Sequence, residues 1–200
     1  MAPTEFEQRQ IRERIKSFLD ESGSYVAISV SSFSIEEDLR KKASSIVADL
    51  SINNKKTKIK GVGVGIVDAL LRGLVDKLSK NYPSLKNIKI SEFNAKAKIK
   101  KKARPGSDAV VDVDLVLENT RGGKIIFSHS AKSLNISAVL VVLESVEYFI
   151  NSEIAFLKLK TCIENASLRK RNDLVNDYMF LMTEVVKNMN YDKILTKGSK

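Results

Sequence analysis

Residues 60–78 read KGVGVGIVDALLRGLVDKL and mark the point where a strand gives way to a helix. Gly61, Gly63 and Gly65 alternate at the end of the strand, and glycine there allows either a positive φ or a close approach of another group to the main chain. Asp68 falls in the first turn of the predicted helix, where a carboxylate suits the positive end of the helix dipole. The N–H groups of that turn offer a site for the carboxylate of a small ligand. A tight strand-to-helix connection without any ligand explains the same glycines equally well.

Two common nucleotide-binding motifs are excluded by the spacing of these glycines. The G-x-G-x-x-G fingerprint requires a third glycine three residues after the second. That position is Ile66 when the count starts at Gly61, and it is Asp68 when the count starts at Gly63. No Gly-Lys-Ser/Thr sequence follows a glycine at the spacing of a P-loop. The stretch is therefore not a nucleotide-binding loop of either type.

The composition is that of an ordinary globular protein. The chain has 200 residues, of which 43% are hydrophobic, so it can bury a substantial core. A single cysteine, Cys162, excludes an intramolecular disulfide and a cysteine-based metal site. No charged-then-apolar leader opens the sequence, and the longest apolar run, near residues 136–143, is too short to cross a membrane. We therefore expect a soluble, cytoplasmic protein that does not act at a membrane.

Positive charge is concentrated in residues 55–104, which hold 15 Lys or Arg against 3 acids, while the whole chain carries a net charge of +10. Such a concentration can be a footprint for nucleic acid or another polyanion. Many of the lysines alternate with apolar residues, and this pattern also fits the solvated face of a strand, which we favour. Aromatic residues, which supply base-stacking platforms in single-strand binders, do not accompany them. The cluster to test for polyanion binding consists of Lys96, Lys98, Lys100, Lys101 and Lys102.

A strand-strand-strand-helix order occurs twice along the chain. In the first unit the patterns predict strands at residues 25–33, 44–52 and 57–64 and a helix at 65–81. In the second unit they predict strands at 87–102, 108–118 and 124–130 and a helix at 135–151. The predicted connections are a polar segment at 34–42, a turn at 53–54, a basic turn at 101–106 and a hairpin turn at 121–123. Such an internal duplication predicts an α+β fold of two βββα units related by an approximate two-fold axis.

Helices flank the duplicated part on both sides. Apolar residues at helical spacing predict a helix over residues 4–21 that ends at Gly23. Residues 154–168 are also helical and lead to a further apolar stripe over residues 174–189. We therefore divide the chain into an N-terminal helix at 1–23, a βββα-βββα domain at 24–156 and a C-terminal helical extension at 157–200.

Residues suited to catalysis are scarce. His129 is the only histidine and has neither a second histidine nor a cysteine near it in the sequence, so we expect no metal site. Asp112 and Asp114 share one face of a predicted strand, which is compatible with acid–base chemistry. We favour an exposed face whose lysine partners lie on a neighbouring strand. No G-x-S-x-G turn is present, and we expect neither enzyme activity nor a cofactor.

The duplicated pattern resembles the C-terminal regulatory, leucine-sensing domain of alpha-isopropylmalate synthase and its citramalate synthase relatives. The first half of that domain ends in G-x-G-P-V-D-A, and residues 63–69 read GVGIVDA. The second half carries G-T-D-A-x-V, which is matched by GSDAVV at residues 106–111. The second helix of the family opens with S-T-D-I, which is matched by SLNI at residues 133–136. The resemblance covers residues 25–149.

The resemblance implies a homodimer that binds leucine or isoleucine as a feedback effector near the glycine turn and its counterpart across the pseudo-two-fold axis. A helix N-terminus suits the carboxylate of such a ligand, an acid suits its ammonium group, and an apolar wall suits its side chain. The implied effector-binding residues are Gly63, Gly65, Asp68 and Ala69 in the first half, Gly106, Asp108, Ala109 and Asn135 in the second, and Ile90 and Phe93 as apolar wall.

The chain departs from the family pattern in three respects. Ile66 stands where the family has proline, and Asn135 stands where it has aspartate, so one charge that could bind an ammonium group is missing. The catalytic TIM barrel of the synthases, which needs about 250 residues, does not fit into this sequence. The additional helices at both ends favour a free-standing chain.

We therefore expect a non-catalytic regulatory-type domain that dimerises, binds a branched-chain amino acid or a related small acid, and acts on a separate synthase subunit. Two alternatives stay open. In one, the same fold has lost its effector site and serves as an interaction or nucleic-acid-binding protein. In the other, the chain is the excised C-terminal part of a 2-isopropylmalate or citramalate synthase.

Overall fold

The computed structural model describes residues 5–98, 109–120 and 122–187. A short 3-10 turn, Pro83–Asn87, precedes the fourth strand. The helices and strands follow in the order α1 (Glu5–Glu21), β1 (Ile28–Asp38), β2 (Ala43–Ile52), β3 (Lys55–Gly63), α2 (Ile66–Leu78), β4 (Ile88–Lys98), β5 (Val110–Asn119), β6 (Lys124–Ala131), α3 (Leu134–Leu168) and α4 (Asn172–Lys187).

The strands form two antiparallel three-stranded sheets, with the strand orders β1-β2-β3 (sheet A) and β4-β5-β6 (sheet B). In the chain, α2 follows sheet A and α3 follows sheet B. The predicted α+β class is therefore confirmed. Asn53 and Asn54, both with positive φ, make the predicted turn between β2 and β3.

The first strand of each sheet carries a bulge at the same place. The register of β1 with β2 shifts between Val30 and Ser32, and that of β4 with β5 shifts between Ile90 and Glu92. The local sequences are ISVSSFSI at residues 28–35 and IKISEFNA at residues 88–95. In both stretches the apolar residues change from even-numbered to odd-numbered positions, so one extra residue is needed to keep them on one face of the sheet.

This phase shift explains why the sequence-based prediction of β1 is wrong at its end. The alternation of side chains predicts a strand that ends at residue 33 and a polar connection over 34–42, whereas β1 continues to Asp38. Because the bulge restores the apolar side chains to the inner face, Phe33 lies opposite Ala48 and Ile35 lies opposite Ile46. The predicted basic turn at 101–106 and the end of the strand before it lie outside the described residues.

α3 is the central helix of a single apolar core to which both sheets and all four helices contribute. It packs against β5 and β6 of sheet B and also contacts α1, α2 and α4. The rings of Phe127, Tyr148 and Phe149 form one cluster here, with centroid distances of 5.4–6.0 Å. The predicted end of this helix at residue 151 is wrong, because α3 continues without interruption to Leu168.

α3 has 35 residues and includes a stretch whose mean hydropathy of 1.4 would allow it to cross a membrane. However, 67% of its most apolar window is buried inside the protein. A helix surrounded by its own protein on most sides is the expected core element of a globular fold. Within the described ranges, no other helix has this length and composition.

Two polar residues of α3 hold the segment that leads into β1. The side chain of Asn151, only 1% exposed, accepts a hydrogen bond from Val26 N and donates one to Val26 O, both at 2.8 Å. Glu147 accepts hydrogen bonds from the Tyr25 hydroxyl and from Ile28 N, each at 2.6 Å. Burial, together with the Glu147 carboxylate, raises the pKa of Tyr25 above its ordinary range, so the hydroxyl stays a donor.

A third polar residue of α3 serves the second sheet in the same way. The buried carboxylate of Glu153 accepts a hydrogen bond of 2.9 Å from Ser84 N, in the turn that leads into β4. The helix predicted from the sequence ends at residue 151, where the polar residues 151–153 begin. In the structure these residues lie inside the helix, where Asn151 and Glu153 form hydrogen bonds with backbone groups of the segments before β1 and β4.

α1 covers the free edge of β6. Gln8 accepts a hydrogen bond from Ile126 N at 3.1 Å, and Arg12 donates one to Ile126 O at 2.6 Å. The Arg12 guanidinium also lies 4.2 Å from the centre of the Phe127 ring and pairs with Glu144 at 2.9 Å. Helix α1 therefore satisfies backbone groups that would otherwise be open to strand addition.

We expect Asn151→Ala to lower the free energy of unfolding by about 2–4 kcal/mol, because it leaves both backbone groups of Val26 unsatisfied in the core. Asn165→Ala, an exposed change on the same helix, should alter it by less than about 0.5 kcal/mol. Urea denaturation followed by circular dichroism measures both. Equal stabilities of the two variants would show that the Asn151 bonds do not hold the segment before β1.

Candidate functional site

Three glycines bring the backbone of α2 directly against the backbone of β3. A Cβ atom at Gly61 would lie 1.9 Å from Ala69 O, and one at Gly63 would lie 2.5 Å from Ala69 N. From the helix side, a Cβ at Gly73 would lie 2.7 Å from Lys60 O. Since even the smallest side chain would collide with main-chain atoms, these positions require glycine.

This contact decides between the two explanations of the glycine stretch. Gly61, Gly63 and Gly65 do not have positive φ, so that explanation of the glycines is wrong. The close-approach explanation is correct at Gly61 and Gly63, but the group that approaches is α2 itself. Gly65 is the N-cap of α2 and has an extended backbone, with φ of −160°, and a Cβ atom at this position would have open space around it.

Asp68 closes the turn between β3 and α2. Its Oδ2 accepts a hydrogen bond from Val64 N at 3.0 Å, and its Oδ1 accepts one from Arg72 Nε at 2.9 Å. Burial raises the pKa of Asp68, but the hydrogen bonds from Arg72 and Val64 outweigh it and hold the pKa below the ordinary value of 3.8. The side chain is therefore a carboxylate at neutral pH and is already engaged by the protein.

A cleft of about 380 Å³ lies between α2 and the beginning of β4. Its charged groups include the Arg72 guanidinium and the carboxylates of Asp68 and Asp76. Its apolar wall comes from Leu71 and Val75 on α2 and from Ile88 and Ile90 on β4. Lys86 and Lys89 also line the cleft, so that three cations, two carboxylates and an apolar wall surround a volume that can accommodate a small zwitterion with an aliphatic side chain.

Two of the ten predicted effector-binding residues meet in this cleft, namely Asp68 and Ile90. Ala69 is completely buried at the contact with β3 and does not line the cleft. Gly63 lies in the same contact. Phe93, 39% exposed, lies beyond the bulge of β4 and is not part of the cleft wall.

The effector-binding residues predicted in the second half are described only in part, because Gly106 and Asp108 lie outside the described residues. Ala109 is half-buried just before β5. Asn135 is exposed in the first turn of α3, where Ser133 is the N-cap and its hydroxyl accepts a hydrogen bond from Ile136 N at 3.4 Å. Neither Ala109 nor Asn135 lines the α2–β4 cleft.

The cleft residues that α2 supplies besides Asp68 are absent from the set predicted from the sequence. Asp68, Arg72 and Asp76 follow one another at intervals of four residues, as do Leu71 and Val75. This spacing places each set on one side of a helix. The signal for these α2 residues is thus present in the sequence, whereas β4 enters the predicted site only through Ile90 and Phe93, which the family resemblance implies.

The other polar candidates take structural positions. Asp112 lies opposite Lys96 in the register of β4 and β5, as expected, and accepts a hydrogen bond of 2.7 Å from the Ser130 hydroxyl. Asp114 lies opposite Asn94 rather than a lysine. His129 lies in β6, half-buried and opposite Val113. The part of the chain that the structure describes contains no group of three or more His, Cys, Asp or Glu able to hold a metal ion.

Comparisons with known proteins add no identification. No family model matches the sequence, and no curated protein matches it. A functional interpretation therefore depends on the motifs of the sequence and on the geometry of the cleft.

We expect Gly61→Ser to lower the free energy of unfolding by about 2–3 kcal/mol or more, because the new side chain collides with the backbone of α2. The same substitution at the helix N-cap, Gly65→Ser, should change it by less than about 0.5 kcal/mol, since the space is open and serine is a favourable N-cap residue. Thermal and urea denaturation of the two variants check this contrast. A tolerated Gly61→Ser would contradict the backbone contact.

We expect Asp68→Asn to destabilise the protein by about 1 kcal/mol at pH 7 through the weakened turn. The pKa of Asp68 is lower in the folded state than its ordinary value of 3.8. The Asp68 carboxylate therefore contributes fully to the free energy of unfolding above pH 3.8, and this contribution disappears as the pH falls through the folded-state pKa. The difference between wild type and variant should therefore shrink at a pH well below 3.8. Urea titrations at neutral and at acidic pH measure it, with the exposed change Asp76→Asn as control. A difference that does not depend on pH would exclude the charged hydrogen bonds as its origin.

Proposed function

We propose that this chain is a non-catalytic regulatory domain of the isopropylmalate synthase type. In this proposal the α2–β4 cleft takes a branched-chain amino acid or a related small acid, the chain forms a homodimer, and ligand binding acts on a separate synthase subunit. The observation that carries the proposal is that Asp68 and Ile90, assigned to the effector site from separate halves of the sequence, line one cleft.

The two bulged strands support an origin by duplication. Ile28, Ser31 and Phe33 of β1 recur as Ile88, Ser91 and Phe93 of β4, sixty residues later. Each strand opens a three-stranded antiparallel sheet, and each sheet is followed by a helix. We infer two βββα units related by an approximate two-fold axis, as the resemblance implies.

The domain division changes slightly under this proposal. The N-terminal helix of residues 1–23 packs on the core through Ile11, Ile15 and Leu19. The boundary between residues 156 and 157 falls inside α3, so the C-terminal extension shares a helix with the βββα-βββα domain. The extension would then move with the effector domain rather than as a separate unit.

The charged groups of the cleft fit the two ends of an amino acid. Asp68 accepts a hydrogen bond from the Nε–H of Arg72, and the Nη groups of Arg72 donate none to any described residue, so they suit a ligand carboxylate. Asp76 lies at the rim and suits an ammonium group. Leu71, Val75 and Ile90 would contact an aliphatic side chain.

Isothermal calorimetry with leucine, isoleucine, valine and the corresponding 2-oxo acids tests the ligand. We expect at least one of them to bind with a dissociation constant between about 1 μM and 1 mM. Arg72→Gln should weaken that binding at least tenfold, or by about 1.4 kcal/mol, because the carboxylate loses its cation. Lys77→Gln removes the same charge from the same helix outside the cleft and should leave binding unchanged.

Light scattering on the same samples tests the dimer. If none of these ligands binds, the proposed effector function is wrong. If the protein binds one of them but is a monomer, only the proposed homodimer is wrong. Equal binding by the Arg72 and Lys77 variants would place the ligand somewhere other than this cleft.

A further inference from the structure

β4 is an uncovered edge strand of sheet B. On the opposite edge, α1 bonds to both backbone groups of Ile126 in β6. β4 pairs with β5 on one side and has no strand on the other side among the described residues. Residues 92–97 of β4 are all exposed. Such an edge presents unpaired N–H and C=O groups to which another strand can add.

The same part of β4 leaves apolar side chains uncovered. Phe93 lies opposite Leu115, and Ala95 lies opposite Val113. Directly opposed residues of an antiparallel pair share one side of the sheet, and Leu115 and Val113 are completely buried in the core. Phe93, Ala95 and Ala97 are therefore on the core-facing side of sheet B, yet all three are exposed. The core-facing side of the sheet thus extends beyond its cover at this edge.

In sheet A the equivalent side chains are covered. Phe33 and Ile35 follow the bulge of β1 as Phe93 and Ala95 follow the bulge of β4, and they also lie opposite buried residues of the central strand. Phe33 and Ile35 are half-buried and pack against the core. In the described part of the molecule, an open edge and an uncovered apolar strip therefore coincide on β4.

Charge also distinguishes β4 from the edges of sheet A. β3 carries four lysines in nine residues, and β1 ends with the acids EED at residues 36–38. Edges that carry charge of one sign oppose the addition of a like strand. Between residues 92 and 97, β4 has one acid, Glu92, and one base, Lys96. Antiparallel pairing of such a strand with a copy of itself brings unlike charges together.

We propose that the part of β4 after its bulge pairs with the same part of a second copy of the chain, antiparallel and across a two-fold axis. The B sheets of the two copies then form one six-stranded sheet with the strand order β6-β5-β4-β4-β5-β6. An isologous contact of this kind is closed, so it gives a dimer and not a fibre. The pairing rests on the homodimer of the proposed function and identifies the surface that forms it.

Side-chain orientation limits how two copies of β4 can be aligned. An axis perpendicular to the sheet keeps the core-facing sides of both copies together, so residues of like orientation must be opposed. An axis at Phe93 brings the bulge between Ile90 and Glu92 close to the centre of the pairing, and an axis at Lys96 opposes two lysines. The axis therefore falls at Asn94 or at Ala95.

Both of these registers are complementary. Phe93 is opposed by an alanine of the partner in either register, which leaves room for the ring. Glu92 is opposed by a lysine of the partner, at position 96 with the axis at Asn94 and at position 98 with the axis at Ala95. Opposite charges and apolar pairs across two antiparallel strands stabilise their pairing.

Sedimentation velocity over a range of protein concentrations measures the dimer. We expect a dissociation constant of about 1–100 μM, because a contact along one strand edge is smaller than a standard protein interface. Glu92→Lys opposes two lysines in either register, twice in each dimer, and should weaken dimerisation about tenfold. Glu36→Lys makes the same charge change at an exposed position of the edge strand β1 and should leave dimerisation unchanged.

Disulfide cross-linking locates the axis. In a Cys162→Ser background, a cysteine on the axis faces its own copy with Cα atoms about 4.5–5.5 Å apart, which a disulfide can bridge. Either Asn94→Cys or Ala95→Cys, whichever marks the axis, should therefore form a covalent dimer on mild oxidation. Ser34→Cys, at the position on β1 that corresponds to Asn94 on β4, should form none.

A wild-type protein that remains monomeric would contradict this surface and the homodimer of the proposed function together. A dimer that is as tight in Glu92→Lys as in wild type, or in which neither the Asn94→Cys nor the Ala95→Cys variant cross-links, would contradict only β4 as its surface. Slow hydrogen exchange of residues 93–96 in a dilute monomer would also contradict it, because the chain itself would then cover this edge. Circular dichroism of each variant shows whether it is folded. Amino-acid binding by the α2–β4 cleft is measured separately by calorimetry, so its failure is distinguishable from that of the pairing.

Discussion

The backbone contact between α2 and β3 is the constraint on which the candidate site depends. Gly61 and Gly63 have no side chains to hold the helix at the usual distance, so α2 lies with Ala69 directly on the strand. That position fixes where the helix begins, and Asp68 locks the start by bonding to Val64 N. The outer side of the same helix then forms one wall of the cleft with β4. The glycines therefore act on the candidate site through packing, since none of them lines the cleft.

The second constraint is the way α3 joins the two sheets. An apolar helix in a core can pack in several rotational settings, since dispersion and the hydrophobic effect are not directional. Asn151 accepts from Val26 N and donates to Val26 O, and Glu153 accepts from Ser84 N; these bonds define one setting of the helix and connect it to the segments before β1 and β4. Buried polar groups whose hydrogen bonds are all formed reduce the stability of the fold only slightly, and they exclude rotational settings of the helix in which they would be unpaired. The orientation of sheet A and sheet B around one helix follows from these few bonds.

The fold class, the order of the strands and helices, and two residues of the cleft could be predicted from the sequence. Prediction failed where tertiary structure changes the meaning of a local pattern. The second half of β1 was not predicted, because the bulge at Ser31 shifts the alternation of apolar residues by one position. The helix end predicted at residue 151 is wrong, because Asn151 and Glu153 are buried inside the helix and bond to segments distant in the sequence. The cleft itself could not be predicted, since α2 and β4 meet only through packing of the two units.

Under the proposed duplication, the two sheets show which surfaces can diverge. Their inner faces are constrained by the core, and the bulges of β1 and β4 stay at corresponding positions. A change there would expose apolar side chains or create cavities, at a cost of about 1–3 kcal/mol or more for each. Their outer faces carry no such constraint, and they differ: sheet B pairs Lys89 and Lys124 with acids, whereas on sheet A only Lys58 of the β3 lysines pairs with an acid among the described residues. A new activity would arise most easily on the outer face of one sheet, because substitutions there leave the packing of the core unchanged.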